Sequence, residues 1–112
     1  MEIAIENSDQ ISIIRARGKI DAITVAVFED AVRSVINTTE RQNILIDLSG
    51  LVYINSGGLR VILAAAKIQK NSTRLLALSG LNTEVMKIFS LSGLNTILPI
   101  YSGEPEARVH LR

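Results

Sequence analysis

Asp47-Leu48-Ser49-Gly50-Leu51-Val52-Tyr53-Ile54-Asn55-Ser56-Gly57-Gly58-Leu59-Arg60-Val61-Ile62-Leu63 is the most concentrated stretch of the chain. It grows out of Ile44 to Leu48, an almost continuous run of β-branched residues and leucine. That run predicts a central strand covered on both faces. Ser49 to Asn55 reads as a loop. Ser56-Gly57-Gly58 then opens a helix whose buried stripe is expected at Leu59, Ile62, Leu63 and Ala66. A buried strand thus runs into a loop, and the loop delivers a serine to a helix start.

On the amino-terminal side, Ile3 and Ile5 alternate with Glu2, Ala4 and Glu6, which predicts a short strand with one buried face. Asn7 to Gln10 is a turn, and Ile11, Ile13 and Arg15 to Arg17 continue as the second arm of a hairpin that Gly18 ends. From Thr24, a candidate N-cap, the period becomes helical: Val25, Phe28, Ala31, Val32, Val35 and Ile36 share one face. The polar stretch Asn37 to Gln42 breaks that helix. On the carboxyl-terminal side, Leu75 to Leu78 reads as a buried strand. A helix from Asn82 follows, with Val85, Met86 and Phe89 inward, and Ser92-Gly93 stops it. Tyr53 and Ile54 are expected to anchor the loop in the core. Ile97 to Tyr101 is a last strand, and Pro105 suits the first turn of a terminal helix.

The order β-β-α-β-α-β-α-β-α predicts an α/β fold: a single mixed, mostly parallel sheet with an antiparallel edge at the amino terminus and about four helices. Residues 1–112 form one domain, with no internal repeat or linker composition to divide them. Functional loops in such sheets lie past the carboxyl ends of the strands, which selects Gly18 to Thr24, Ser49 to Gly58 and Ser79 to Asn82.

Composition narrows the chemistry. Hydrophobic residues make up 47% and charged residues 21%, so the chain can build a core; aromatics are only 4%, so Ile, Leu, Val and Ala must build it. Twelve basic against eleven acidic residues leave a net charge of +1, which is no footprint for nucleic acid. With no cysteine, disulfides and thiolate chemistry are absent, and a reducing cytoplasm fits better than secretion. The opening MEIAIENSDQ lacks the pattern of a signal peptide, and no apolar run approaches the roughly 20 residues of a membrane span. There is no phosphate-binding or dinucleotide-binding glycine motif, and the lone histidine, His110, reads as a surface residue rather than a catalytic or metal-binding one. No acid–base or nucleophile–base pair can be placed together, so an enzyme reading has no support.

Ser56 admits two readings. As a helix N-cap its Oγ would accept a backbone N–H, worth about 1 kcal/mol. Alternatively the same position exposes a hydroxyl beside free N–H groups and a positive dipole end, where an added phosphate would be tolerated. Gly57 and Gly58 would then remove bulk so that a partner could approach the hydroxyl closely. Asp21 divides similarly between capping the first helix or holding loop amides and contacting a partner.

The stretch resembles the STAS domain of bacterial anti-sigma factor antagonists, whose pattern runs D-L-S-x-L-x-[YF]-[IM]-[DS]-S-[STA]-G-L-x-x-[LI]-L. Asp47, Leu48, Ser49, Leu51, Tyr53, Ile54, Ser56, Gly58, Leu59, Ile62 and Leu63 match it. Gly18-Lys19-Ile20-Asp21 and Phe89-Ser90-Leu91-Ser92-Gly93-Leu94 resemble two shorter family motifs, so the likeness spans nearly the whole chain. Asn55 stands where a carboxylate or serine is usual, Gly57 where Ser, Thr or Ala is usual, and Lys19 where an acidic residue is usual. The resemblance implies a binding regulator without catalytic machinery. Ser56 would be the phosphorylation site of a kinase that is also the anti-sigma factor and that uses ATP, so the chain itself would carry no cofactor. The unphosphorylated form would bind that partner through Asp21, Asn55, Ser56, Gly57 and Gly58 and free a sigma factor, and a phosphatase would reset the modified form. The competing reading is a STAS subunit that is never phosphorylated and belongs to a larger transport-associated or stressosome-like complex.

Overall fold

The computed structural model describes residues 1–8, 10–38 and 42–112. Its elements are β1 (Glu2–Asn7), β2 (Ile11–Ile20), α1 (Val25–Ile36), β3 (Asn43–Ile54), α2 (Ser56–Asn71), β4 (Leu76–Ser79), α3 (Thr83–Ser92), a single 3-10 turn (Leu94–Thr96), β5 (Ile100–Tyr101) and α4 (Glu104–Leu111). The five strands lie in sequence order. β1 is antiparallel to β2 and every other neighbouring pair is parallel, the mixed sheet expected from the element order.

Two apolar layers sandwich the sheet. Ile14, Ala16, Ile46, Leu48 and Leu78 face α1, α2 and α3 and meet Phe28, Ile62 and Phe89 there. Ile11, Ile13, Leu45 and Ala77 face the other way and are covered by Ala107 and Leu111 of α4. β3 is therefore buried on both sides, as its near-continuous apolar run requires.

Several local expectations are corrected. Ser49 to Asn55 is not a loop, because β3 continues to Ile54 and pairs with β2 as far as Ile20. Nor does Gly18 end β2. It takes φ +99°, and Gly18 pairs with Leu51 while Lys19 pairs with Tyr53. Here, and again between Arg15 and Arg17, β3 supplies one more residue than β2. The helix-facing positions of β3 accordingly run Ile44, Ile46, Leu48, Leu51, Ile54, switching from two-residue to three-residue steps. Tyr53 falls between those steps and is 45% exposed, not a core anchor, whereas Ile54 is buried.

On α2 the fully buried positions are Gly58, Ile62, Ala65 and Gln69, and the expected Leu59, Leu63 and Ala66 form its half-buried flank. Met86 of α3 is likewise only half-buried. β1 carries less burial than expected: Ile5 is exposed, because the strand is the sheet's outer edge. β4 starts at Leu76 rather than Leu75, which is exposed. The last strand shrinks to Ile100–Tyr101, since the 3-10 turn and Pro99, which has no N–H to donate, occupy the approach to it. Gly93 ends α3 in the left-handed conformation at φ +80°, as read from Ser92-Gly93.

Candidate functional site

The carboxyl ends of β2 and β3 deliver the two candidate segments side by side. Ile20 pairs with Ile54, and the Asn55 N–H donates to the Ile20 carbonyl at 2.9 Å, so Asp21 and Asn55 leave the sheet as neighbours. The third expected segment joins through Asn82, whose Nδ2 donates to the Leu51 carbonyl at 3.0 Å while its Oδ1 caps α3 by accepting from Val85 N–H.

The cap of α2 is Asn55 and not Ser56. Asn55 is extended, and its Oδ1 accepts the Gly58 N–H at 2.9 Å. Ser56 is the first residue of the helix, is exposed, and its hydroxyl makes no hydrogen bond among the described residues. The backbone N–H groups of Ser56 and Gly57 have no intrahelical acceptor, as at any helix start. The hydroxyl therefore projects from a rigid, positively polarised turn without itself holding that turn together.

The two glycines differ. Gly58 is buried, and a Cβ there would lie 2.6 Å from Ile54 Cγ1 and 2.8 Å from Ile20 Cγ2. Its missing side chain lets α2 seat on the strand ends; it does not open space for a partner. Gly57 is half-buried, with Val25 Cγ2 3.2 Å from the position of its absent Cβ, which ties the Ser56 turn to the start of α1.

Asp21 builds a turn of its own. Its Oδ1 accepts from the N–H groups of Ile23 (3.0 Å) and Thr24 (3.1 Å), while its own N–H donates to Thr24 Oγ1 (2.9 Å). This reciprocal pair closes the turn that leads into α1; Thr24, at the N-cap position, is helical and its side chain accepts no N–H of α1. The Thr24 hydroxyl donates to the Lys19 carbonyl at 2.7 Å. The Thr24 and Ile23 N–H groups hold the Asp21 carboxyl below its ordinary value. The turn also lifts Ile23 into solvent, where it is 87% exposed, with Val27 half-exposed one helical turn on. Sequence reading missed both, since they lie off the stripe that identifies α1. The available signal was an isoleucine placed outside that stripe.

Asp47, which opens the long motif, is elsewhere. It lies on the α4 side of the sheet with Arg15, whose guanidinium reaches Asp47 (2.8 Å), Glu104 (2.7 Å) and Glu6 (3.0 Å). Arg108 closes the cluster on Glu104 (2.8 Å) and Glu6 (3.2 Å). Burial pushes the Asp47 carboxyl upward, but hydrogen bonds from Ser49 and the Arg15 guanidinium outweigh it and hold Asp47 below its ordinary value. Hydrogen bonds from Arg15 and then Arg108 lower Glu104 in the same way. His110 is exposed and stacks on Tyr101, ring centres 4.9 Å apart. Among the described residues no three His, Cys, Asp or Glu stand together as a metal site, and no helix is long and apolar enough to cross a membrane.

Residues 2–107 match the family described as the STAS domain. The anti-sigma F factor antagonist of Paenibacillus polymyxa is 28% identical over 111 residues, covering 99% of this chain and 95% of that protein. An anti-sigma factor antagonist from Mycobacterium paratuberculosis superposes with a TM-score of 0.90 at 23% identity, covering 99% of this chain and 93% of that one. The Bacillus cell fate determinant SpoIIAA in its phosphorylated form superposes with a TM-score of 0.77 at 20% identity, covering 99% of this chain and all of that one. At these identities the two solved structures establish the fold.

Proposed function

The chain belongs to the STAS domain family, and from that membership we propose that it is an anti-sigma factor antagonist switched by phosphorylation of Ser56. Unphosphorylated, it binds an anti-sigma factor that is also a serine kinase, and a sigma factor is released. The kinase transfers the γ-phosphoryl group of ATP to the Ser56 hydroxyl, ADP leaves, the hydroxyl proton is lost, and the complex no longer forms. A phosphatase restores the hydroxyl by hydrolysis. The chain supplies a surface and an acceptor and performs no catalysis.

The observation that carries this reading is the state of Ser56: an exposed hydroxyl, free of hydrogen bonds among the described residues, on the first residue of a helix whose cap is made by its neighbour. A phosphate added there meets the positive end of the helix and displaces nothing the fold uses. The contact surface is the rim formed by Asp21, Asn55, Ser56 and Gly57, extended by the exposed apolar side chains of Ile23 and Val27. A polar rim beside an apolar anchor is the ordinary anatomy of a protein interface. Gly58 contributes from below, by seating the helix.

Intact-mass measurement after incubation with the cognate kinase and ATP tests the assignment. One phosphate on the wild type and none on Ser56→Ala is expected. A phosphate retained in Ser56→Ala, at Ser49, Thr24 or Ser79, overturns it. No phosphate on either protein leaves the constitutive-subunit reading in its place.

A further inference from the structure

The far end of α2 carries a second feature, separate from the Ser56 rim. Between the last turns of α2 and the approach to β5 runs a groove of about 460 Å³. Its walls are apolar, with Leu63 and Ala66 on one side and Leu75 and Ile97 on the other. Leu75 is 50% and Ile97 60% exposed, so the groove is open to a visitor and no described residue fills it. Lys67, Lys70 and Arg74 stand along it, all exposed. None of the three side chains makes an ion pair or hydrogen bond among the described residues. The imbalance is built into the sequence: from Leu48 to Thr83 there are four basic residues and no acidic one, in a chain whose total charge is only +1.

The geometry points to a second docking surface here, one that takes an acidic, amphipathic segment of a protein partner and works independently of Ser56. Apolar side chains of the segment enter the groove, and its carboxylates meet the three cations. The chemistry disfavours other occupants. No aromatic side chain lines the groove, so nucleic-acid bases have nothing to stack on. A concave slot also seats a ridge of side chains better than the flat headgroup layer of a membrane does. Independence follows from distance. Ser56 and Lys70 occupy opposite ends of α2, separated by about 21 Å at 1.5 Å per residue. That exceeds two Debye lengths at physiological ionic strength, about 8 Å each, so a phosphate at Ser56 does not reach this end electrostatically. A regulator built this way keeps one partner attached while the other end is switched.

The test is an NMR titration of the isotope-labelled full chain. The probe is a helical peptide with leucine at i, i+3, i+4 and i+7 and glutamate elsewhere, and the reference is the same peptide with every glutamate replaced by glutamine. Shifts confined to residues 63–76 and 97–99 are expected, with the glutamate peptide binding at least about tenfold tighter. The doubly substituted Lys67→Glu, Lys70→Glu chain should lose at least about tenfold in affinity, whereas Ser56→Asp should change it by less than about twofold. Equal binding of the two peptides, or shifts centred on residues 21–27 and 55–57, overturns the proposal. So does binding of phosphatidylserine vesicles by a chain that ignores both peptides.

Discussion

Asp47 and Ser56 belong to one motif yet lie in regions of opposite character. Around Asp47 every charged group is engaged: Arg15 holds three carboxylates from β1, β3 and α4, and Arg108 holds two of the same. Around Ser56 the caps are complete without it, its hydroxyl has no partner among the described residues, and an isoleucine stands in water nearby. The first region fixes α4 to the sheet. The second leaves a hydroxyl and an apolar contact open on a rigid frame. Stability and the proposed recognition therefore fall to different members of one motif, and substitutions should separate them.

The largest stability effect is expected at Arg15. Arg15→Met strands Asp47 as a partly buried carboxylate without its cation and leaves Glu104 with Arg108 alone, and should cost about 2–3 kcal/mol. Chemical denaturation measures it. The pH profile sharpens the point. Asp47 and Glu104 are both held below their ordinary values, so over the carboxylate range the native state binds fewer protons than the unfolded state. Their contribution is fully present above the ordinary carboxylate range and is lost as pH falls through their lowered values. Wild-type stability should fall on acidification through that window, and the fall should be shallower in Arg15→Met. Parallel profiles would show that the cluster does not act through these carboxylates.

Next in size is Gly58→Ala. The added methyl meets Ile54 and Ile20 at contact distances no relaxed core shows, and overpacking of this kind costs about 1–3 kcal/mol. Gly57→Ala, whose added methyl meets Val25 at the longer distance of 3.2 Å, should stay within about 1 kcal/mol of wild type, since helix propensity offsets the crowding. Thermal melts of the two variants break the comparison if their order is reversed.

The fold was legible because its signals are regional: the β3 run, the helical stripes of α1 and α3 and the Gly93 stop each follow from side-chain period or backbone freedom. The details that escaped share one physical cause. Two extra residues in β3 switch its inward positions from even to odd and back, so a strand reads as a loop from Ser49 onward and Tyr53 passes for a core residue. At the site, Ser56 and Asp21 stood out by motif and position. The division of labour did not, because Asn55 and Ser56 are equally good N-caps by type, and only the backbone angles decide which one caps. Ile23 was hidden because amphipathic patterning finds buried faces and says nothing of an apolar residue left outside them.

The smallest effects are the sharpest on that division. Asn55→Ala should cost about 1 kcal/mol, the worth of a lost cap. Ser56→Ala should change stability by less than about 0.5 kcal/mol, as for a surface residue without partners. Equilibrium unfolding of the pair distinguishes them, and the reverse order would return the cap to Ser56.

Titration calorimetry against the anti-sigma kinase tests the central claim most directly, using wild type, Ser56→Ala and the Ser56-phosphorylated protein. Phosphorylation adds about −1.5 to −2 charges. In a docked interface that charge must be desolvated, so affinity should fall on the order of a hundredfold or more, while Ser56→Ala binds within a few-fold of wild type. Equal affinity for the phosphorylated and unmodified proteins would contradict the switch and leave a permanently bound subunit.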